Sequence, residues 1–202
     1  MYKDDVMIFE KENTEEKIID ATFHILEKEG VQKATTKRIA AEARVNEVTI
    51  FRKFGNKKNL IETTKEHYMK KLMFKLERNF SFSEDDEIED YLKSCFYGIL
   101  KFSEDDFNII KIALQENTDV PEKTLQMSKI TDTVLNKLDE FFKLQIENGV
   151  IKNINSKAVT LMCYSLIFQS LILWQIYEKH TEIEPDYYAD EFIDILFNGI
   201  KP

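Results

Sequence analysis

Residues 33–58 read KATTKRIAAEARVNEVTIFRKFGNKK, and the reading of the whole chain turns on them. Three of the four arginines (Arg38, Arg44, Arg52) lie here. Eight basic residues face two acids, Glu42 and Glu47, so the stretch carries +6 on a 202-residue chain whose net charge is −9. Everything outside it therefore carries −15. A positive island on a negative molecule draws a polyanion to one place. Nucleic acid is the first candidate, because phosphate contacts supply most non-specific affinity and steer the approach.

The apolar pattern of the same stretch predicts two short helices, 36–43 and 47–54. Ile39 and Ala40 in the first, with Ile50 and Phe54 in the second, form an inward face, and Val45 fills the elbow. Small Ala40 and Ala43 let the helices approach closely. The remaining side chains of the second helix (Glu47, Val48, Thr49, Arg52, Lys53) then face out, which suits a major groove. Thr35 and Thr36 can offer hydroxyls and backbone N–H groups to a phosphate.

Outward from this motif the chain reads as all-α, with about nine helices. Only five Gly and three Pro interrupt it, against 43 % hydrophobic residues. Thr14 is the expected cap of a first helix that stops at Gly30. A longer helix is expected from Lys57 to near Asn79, capped by Asn56 after Gly55. The acidic run EDDEIED at 84–90 opens the next helix, and its carboxylates suit a positive helix end. Ser103 caps a helix whose inner face holds Phe107, Ile110 and Leu114. Pro121 starts a long helix that Gly149 stops, Asn155 caps another over 156–179, and Pro185 starts the last.

Little enzymatic chemistry is legible. Cys95 and Cys163 sit alone in apolar runs, as reduced core thiols of a cytoplasmic protein would. His24, His67 and His180 match no metal-ligand spacing, and the acidic run lacks the Gly and final Glu of a calcium loop. No catalytic residue, metal or cofactor is expected. The N-terminus lacks the pattern of a secretory signal. Residues 158–177 (AVTLMCYSLIFQSLILWQIY) are long and apolar enough to span a bilayer. Thr160, Ser165, Gln169, Ser170 and Gln175 recur along them, so a core or subunit-interface helix is expected, with no membrane partner.

TTKRIAAEARVNEVTIFRKFGNKKNL resembles the DNA-binding signature of the tetracycline-repressor (TetR) family. The shared features are a Thr pair, an Ile-Ala, an elbow ending in Val, a Thr-Ile-aromatic-x-x-Phe helix and an Asn-Lys start to the fourth helix. The resemblance covers about residues 14–72. It implies a three-helix helix-turn-helix DNA-binding domain over 12–72 (motif 35–54), and a larger helical ligand-binding and dimerisation domain over 73–202. It also implies a homodimeric, ligand-released repressor on a near-palindromic double-stranded operator. The alternatives are an activator, or a regulator controlled by a protein partner; a helical small-molecule enzyme is more remote.

Carried over position by position, the resemblance makes Thr35, Thr36, Lys37, Lys53 and Lys57 phosphate contacts. It makes Asn46, Glu47, Val48, Thr49 and Arg52 base-edge readers. Three positions depart from the pattern. Phe51 replaces the usual Tyr, so a phosphate-reaching hydroxyl is missing. Arg44 replaces the elbow Gly; in a left-handed conformation it would carry about 1 kcal/mol of strain, offset by a reach to the DNA backbone. The arm 1–13 is acidic, so no minor-groove contact is expected from it. In the second domain, Phe96, Phe142, Phe168 and Trp174 are the expected lining of a pocket for a small, largely apolar ligand. Helices 156–179 and 186–198 are the expected homodimer bundle.

Overall fold

The computed structural model describes residues 13–115, 125–179 and 182–199. Residues 1–12 of the arm 1–13, the start at Pro121 and His180 lie outside them. Among the described residues there are nine α-helices and no strand. They are α1 Thr14–Lys33, α2 Thr36–Glu42, α3 Glu47–Phe54, α4 Lys57–Asn79, α5 Ile88–Leu100, α6 Glu104–Leu114, α7 Gln126–Glu147, α8 Ser156–Leu171 and α9 Pro185–Asn198. The backbone separates into two compact units, Met1–Tyr68 and Met69–Pro202.

In the first unit, α1 packs on α2 and α2 on α3. Ile18, Phe23, Ile39, Ile50 and Leu60 are fully buried at its centre. Phe23 stacks on Tyr68, ring centroids 3.6 Å apart, and the Tyr68 hydroxyl donates to Asp20 at 2.9 Å. The cap of α1 is Asn13, whose side chain accepts from the Glu15 N–H; Thr14, the expected cap, is the first helical residue instead. Both types serve as caps, and the extended backbone falls at Asn13. Gly30 takes φ 75°, breaking α1, yet the chain makes a further turn to Lys33.

In the second unit, Asn79 at the end of α4 donates to the Cys95 carbonyl at 2.8 Å. Gly98 permits this approach, because a Cβ there would stand 1.6 Å from the Asn79 Oδ1. A capping box joins Ser103 to Asp106. Asp106 is buried and also receives Lys75 Nζ at 2.5 Å. Leu114, expected inside, is 44 % exposed, because Ile109, Ile110 and Ala113 already fill the inner face of α6.

Leu125 is the extended N-cap of α7, so that helix begins at Gln126. α7 and α8 make the most extensive helix pairing. The helix expected over 156–179 runs only to Ile176 and changes its winding on the way. α8 ends at Leu171 and passes into a π-helical turn, Ile172–Ile176, and Glu178 beyond it takes φ 49°. Ser156–Ile176 has the length and composition to cross a membrane, with 33 % of that window buried. Val159, Cys163, Ile167 and Leu171 face the core. Leu161 (56 % exposed), Met162 (57 %) and Leu166 form an apolar stripe on another face.

Candidate functional site

The termini of the short helices in 35–57 are built from side chains on the charged stretch itself. Thr35 caps α2 by accepting from the Arg38 N–H at 3.3 Å. α2 ends in a left-handed cap: the Val45 N–H donates to Ala40 O at 2.9 Å, the Arg44 N–H to Ala41 O at 3.2 Å. Arg44 sits at the left-handed position with φ 54°, where glycine is favoured. Asn46 then caps α3, its Oδ1 accepting from the Val48 N–H at 2.9 Å. Gly55 (φ 78°) ends α3, and Asn56 caps α4 by accepting from the Asn59 N–H at 2.9 Å. Both ends of α2 and α3 and the start of α4 are thus closed by hydrogen bonds from the stretch itself.

Ile39, Ala40, Ile50 and Phe54 are buried, as the apolar pattern requires, and Val45 is half-buried at the elbow. Outside, Lys37, Arg44, Val48, Phe51, Arg52 and Lys53 are exposed. The cations divide into two groups. Lys37, Arg44 and Arg52 pair with no described residue. Three others, Lys53, Lys57 and Arg38, are engaged within the head: Lys53 Nζ is 3.4 Å from Glu15, and Lys57 Nζ donates to the Val31 carbonyl at 3.1 Å. Arg38 forms a two-pronged pair with Glu29, one limb at 2.7 Å. The Arg38 guanidinium holds the Glu29 carboxyl below its ordinary range.

The polar candidates are also partly occupied. The Thr36 hydroxyl donates to Glu47 Oε1 at 2.6 Å, so Thr36 is turned toward α3 and Glu47 toward α2. Thr49 is half-buried. These internal bonds escaped sequence reading because they join residues 9 to 38 apart; charge sign alone pairs no particular acid with a particular base.

In the second unit the four aromatic candidates separate. Phe168 lines an apolar cavity with Leu76, Ile99, Ile110, Val134 and Ile167. Its volume is about 30 Å³. Phe142 lies instead on an open groove beside Ile88, Val159 and Phe197. Phe96 and Trp174 both pack against Tyr188, with centroids 5.8 Å and 5.1 Å away. Phe96 and Phe142 are nearly fully buried, so they fill core space and line no shared void with Phe168. Sequence reasoning missed the aliphatic lining, which a stripe of core residues does not distinguish from ordinary packing. Tyr164, also on the cavity wall, shares a hydrogen bond with Thr131 at 2.8 Å, and burial raises its pKa. Cys95 and Cys163 are buried, and burial pushes both thiols up to about 12. Neither is poised as a nucleophile.

Residues 18–64 match the family model described as bacterial regulatory proteins, tetR family. The chain is 31 % identical over 157 residues to the uncharacterized HTH-type transcriptional regulator YvkB of Bacillus subtilis (strain 168), covering 77 % of this chain and 79 % of that one. In fold it is similar to the transcriptional regulator FadR from Bacillus subtilis in complex with stearoyl-CoA. That likeness has a TM-score of 0.66 at 20 % identity and covers 92 % and 99 % of the two chains. It is also similar in fold to AibR in complex with isovaleryl coenzyme A and operator DNA (TM-score 0.61, 19 % identity, 91 % and 98 % covered). The capped, basic helix-turn-helix, the matched segment and the relative shared over three-quarters of the chain lead to one assignment: the chain belongs to the tetR family of bacterial transcriptional regulators.

Proposed function

We propose that the protein is a homodimeric repressor, held on a near-palindromic operator and released by a small, largely apolar ligand. The observation that carries this reading is the set of exposed cations around α3, Lys37, Arg44 and Arg52, which no described carboxylate neutralises. With Thr35 and the exposed face of α3 they form a footprint for phosphates and base edges. Lys53 and Lys57 join it only by exchanging their present partners for phosphate.

Dimerisation is supported by the apolar stripe of α8, since Leu161, Met162 and Leu166 are left in water by a single chain. A twin presenting the same stripe would bury it, and a near-palindromic operator offers such a dimer two major grooves about 34 Å apart, one turn of duplex. The polar residues spread along Ser156–Ile176 favour this over a membrane, and an operator places the work in the cytoplasm.

The ligand reading rests on the cavity under Leu76 and Phe168. Its wall is almost wholly aliphatic and aromatic, and the hydroxyl of Tyr164 on it is already bonded to Thr131. At about 30 Å³ it holds little more than water, whereas ligand pockets run to about 300–1,000 Å³. Binding therefore has to spread its walls, including Leu76 of α4. Relatives in fold hold acyl-CoA molecules, whose apolar tails suit such a wall.

Gel-shift titration against a selected operator tests the reading. About four phosphate contacts per protomer give a slope of log K on log salt near about −7. Stearoyl-CoA or isovaleryl-CoA is expected to weaken binding, and light scattering to give twice the chain mass. A slope near zero, or a monomer bound to full-length operator, would reject it.

A further inference from the structure

Two bulky apolar side chains on α3 stand in water although the core of the head is already filled. Val48 is 69 % exposed and Phe51 47 %, while Ile50 and Phe54 of the same eight-residue helix are buried. Val48, Phe51 and Arg52 are spaced i, i+3 and i+4, so they share one face. That face is therefore apolar at its centre and carries a guanidinium with no described partner.

We infer that this face reads thymine methyl groups next to a guanine, with Val48 and Phe51 as the methyl contacts and Arg52 as the guanine fork. The inference rests on the reading that α3 enters a major groove. Among the groups a duplex presents there, the thymine C5-methyl is the apolar one, and a guanidinium fits guanine O6 and N7 in a bidentate manner. Phe51 has no hydroxyl to offer a phosphate, so its exposed ring has an apolar use or none.

Of the other candidates for base reading on α3, Thr49 is half-buried, and Asn46 and Glu47 are occupied. Asn46 has its oxygen on the Val48 N–H, which removes the acceptor that a bidentate adenine contact needs. Glu47 has one carboxylate oxygen on the Thr36 hydroxyl and is half-buried. Specificity then falls on the three residues that point freely outward.

The test uses the full-length protein and duplexes selected from a random library. In the selected site each thymine is replaced in turn by deoxyuridine, which removes only the methyl. Each guanine is replaced by 7-deazaguanine, which removes N7. The native protein is expected to lose about fourfold per contacted methyl and at least about tenfold at the guanine. Val48→Ala and Phe51→Ala should each abolish the deoxyuridine effect at the thymine that side chain contacts, and Arg52→Ala the 7-deazaguanine effect. All three side chains are exposed, so unchanged melting temperatures are expected to accompany these losses.

If native protein binds its selected site but no deoxyuridine swap weakens it, the inference fails and the major-groove reading stands. It fails equally if neither Val48→Ala nor Phe51→Ala removes the methyl effect at any thymine. If native protein selects no sequence even in dilute salt, the major-groove reading falls and takes the inference with it.

Discussion

The Thr36 hydroxyl donates to the Glu47 carboxylate across 2.6 Å, joining the first residue of α2 to the first residue of α3. Both belong to the charged stretch that a phosphate backbone would approach. The bond turns one of them into a brace for the other. Thr36→Val keeps the shape and removes the donor, leaving a half-buried carboxylate unsatisfied. Stability in urea should fall by about 1–2 kcal/mol. Glu47→Gln, which can still accept from Thr36, should lose less.

Arg44 pays for its position in backbone strain and is repaid only if its side chain does something there. Its φ of 54° and the two closing hydrogen bonds of α2 require the left-handed conformation. Arg44→Gly should raise stability by about 0.5–1 kcal/mol and weaken operator binding, because one phosphate partner is gone. Thermal melts and gel shifts on the same preparation check both halves. A variant of unchanged affinity would leave the strain unexplained.

Glu15 and Glu29 hold back two cations of the reading head, Lys53 and Arg38. Both pairs are exposed, so their loss should barely change stability. Affinity for any duplex should rise in Glu15→Gln and Glu29→Gln. The salt slope should steepen by up to about 0.9 per freed cation. An unchanged slope in both variants would mean that neither cation reaches phosphate.

How much of this was legible in the sequence depends on the range of the interaction. Helix ends set by one residue and its near neighbours read directly: Gly55, Gly149 and Gly199 all take positive φ, and Asn56, Ser103 and Asn155 cap. The inward faces of α2 and α3 read equally well, because period alone sorts them. What failed needed geometry across the fold. Leu114 has the same spacing as its buried neighbours, yet α6 rotates it into solvent. The π-helical turn after Leu171 has no composition of its own. Phe142 and Phe168 look alike in sequence, and only the packing of α7 on α8 decides which one meets a void.

The cavity under Leu76 offers a variant that separates packing from ligand binding. Val134 stands on its wall, and Val134→Ile adds one methylene to a space of about 30 Å³. Filling should stabilise the chain by up to about 0.8 kcal/mol while obstructing the apolar ligand. Fluorescence of Trp174, the single tryptophan, should then report a weaker response to added acyl-CoA. A destabilised variant would show that the wall cannot accept the added group without strain.

The two buried thiols give the protein an alkaline limit whose sign can be worked out. Burial raises both Cys95 and Cys163 from an ordinary 9.0 to about 12. The native state therefore keeps protons that the unfolded chain releases. The resulting stability is fully present below about pH 9 and is lost as pH rises toward about 12. The comparison is between native protein and a Cys95→Ala, Cys163→Ala double variant, which differs in these two groups alone. The variant starts lower, from two cavities, and its stability should decline less steeply between pH 9 and 11. Ellman's reagent at pH 8 should meanwhile react with native protein only as fast as the second unit opens. Parallel decline of the two proteins over that range would rule out thiol burial as the cause.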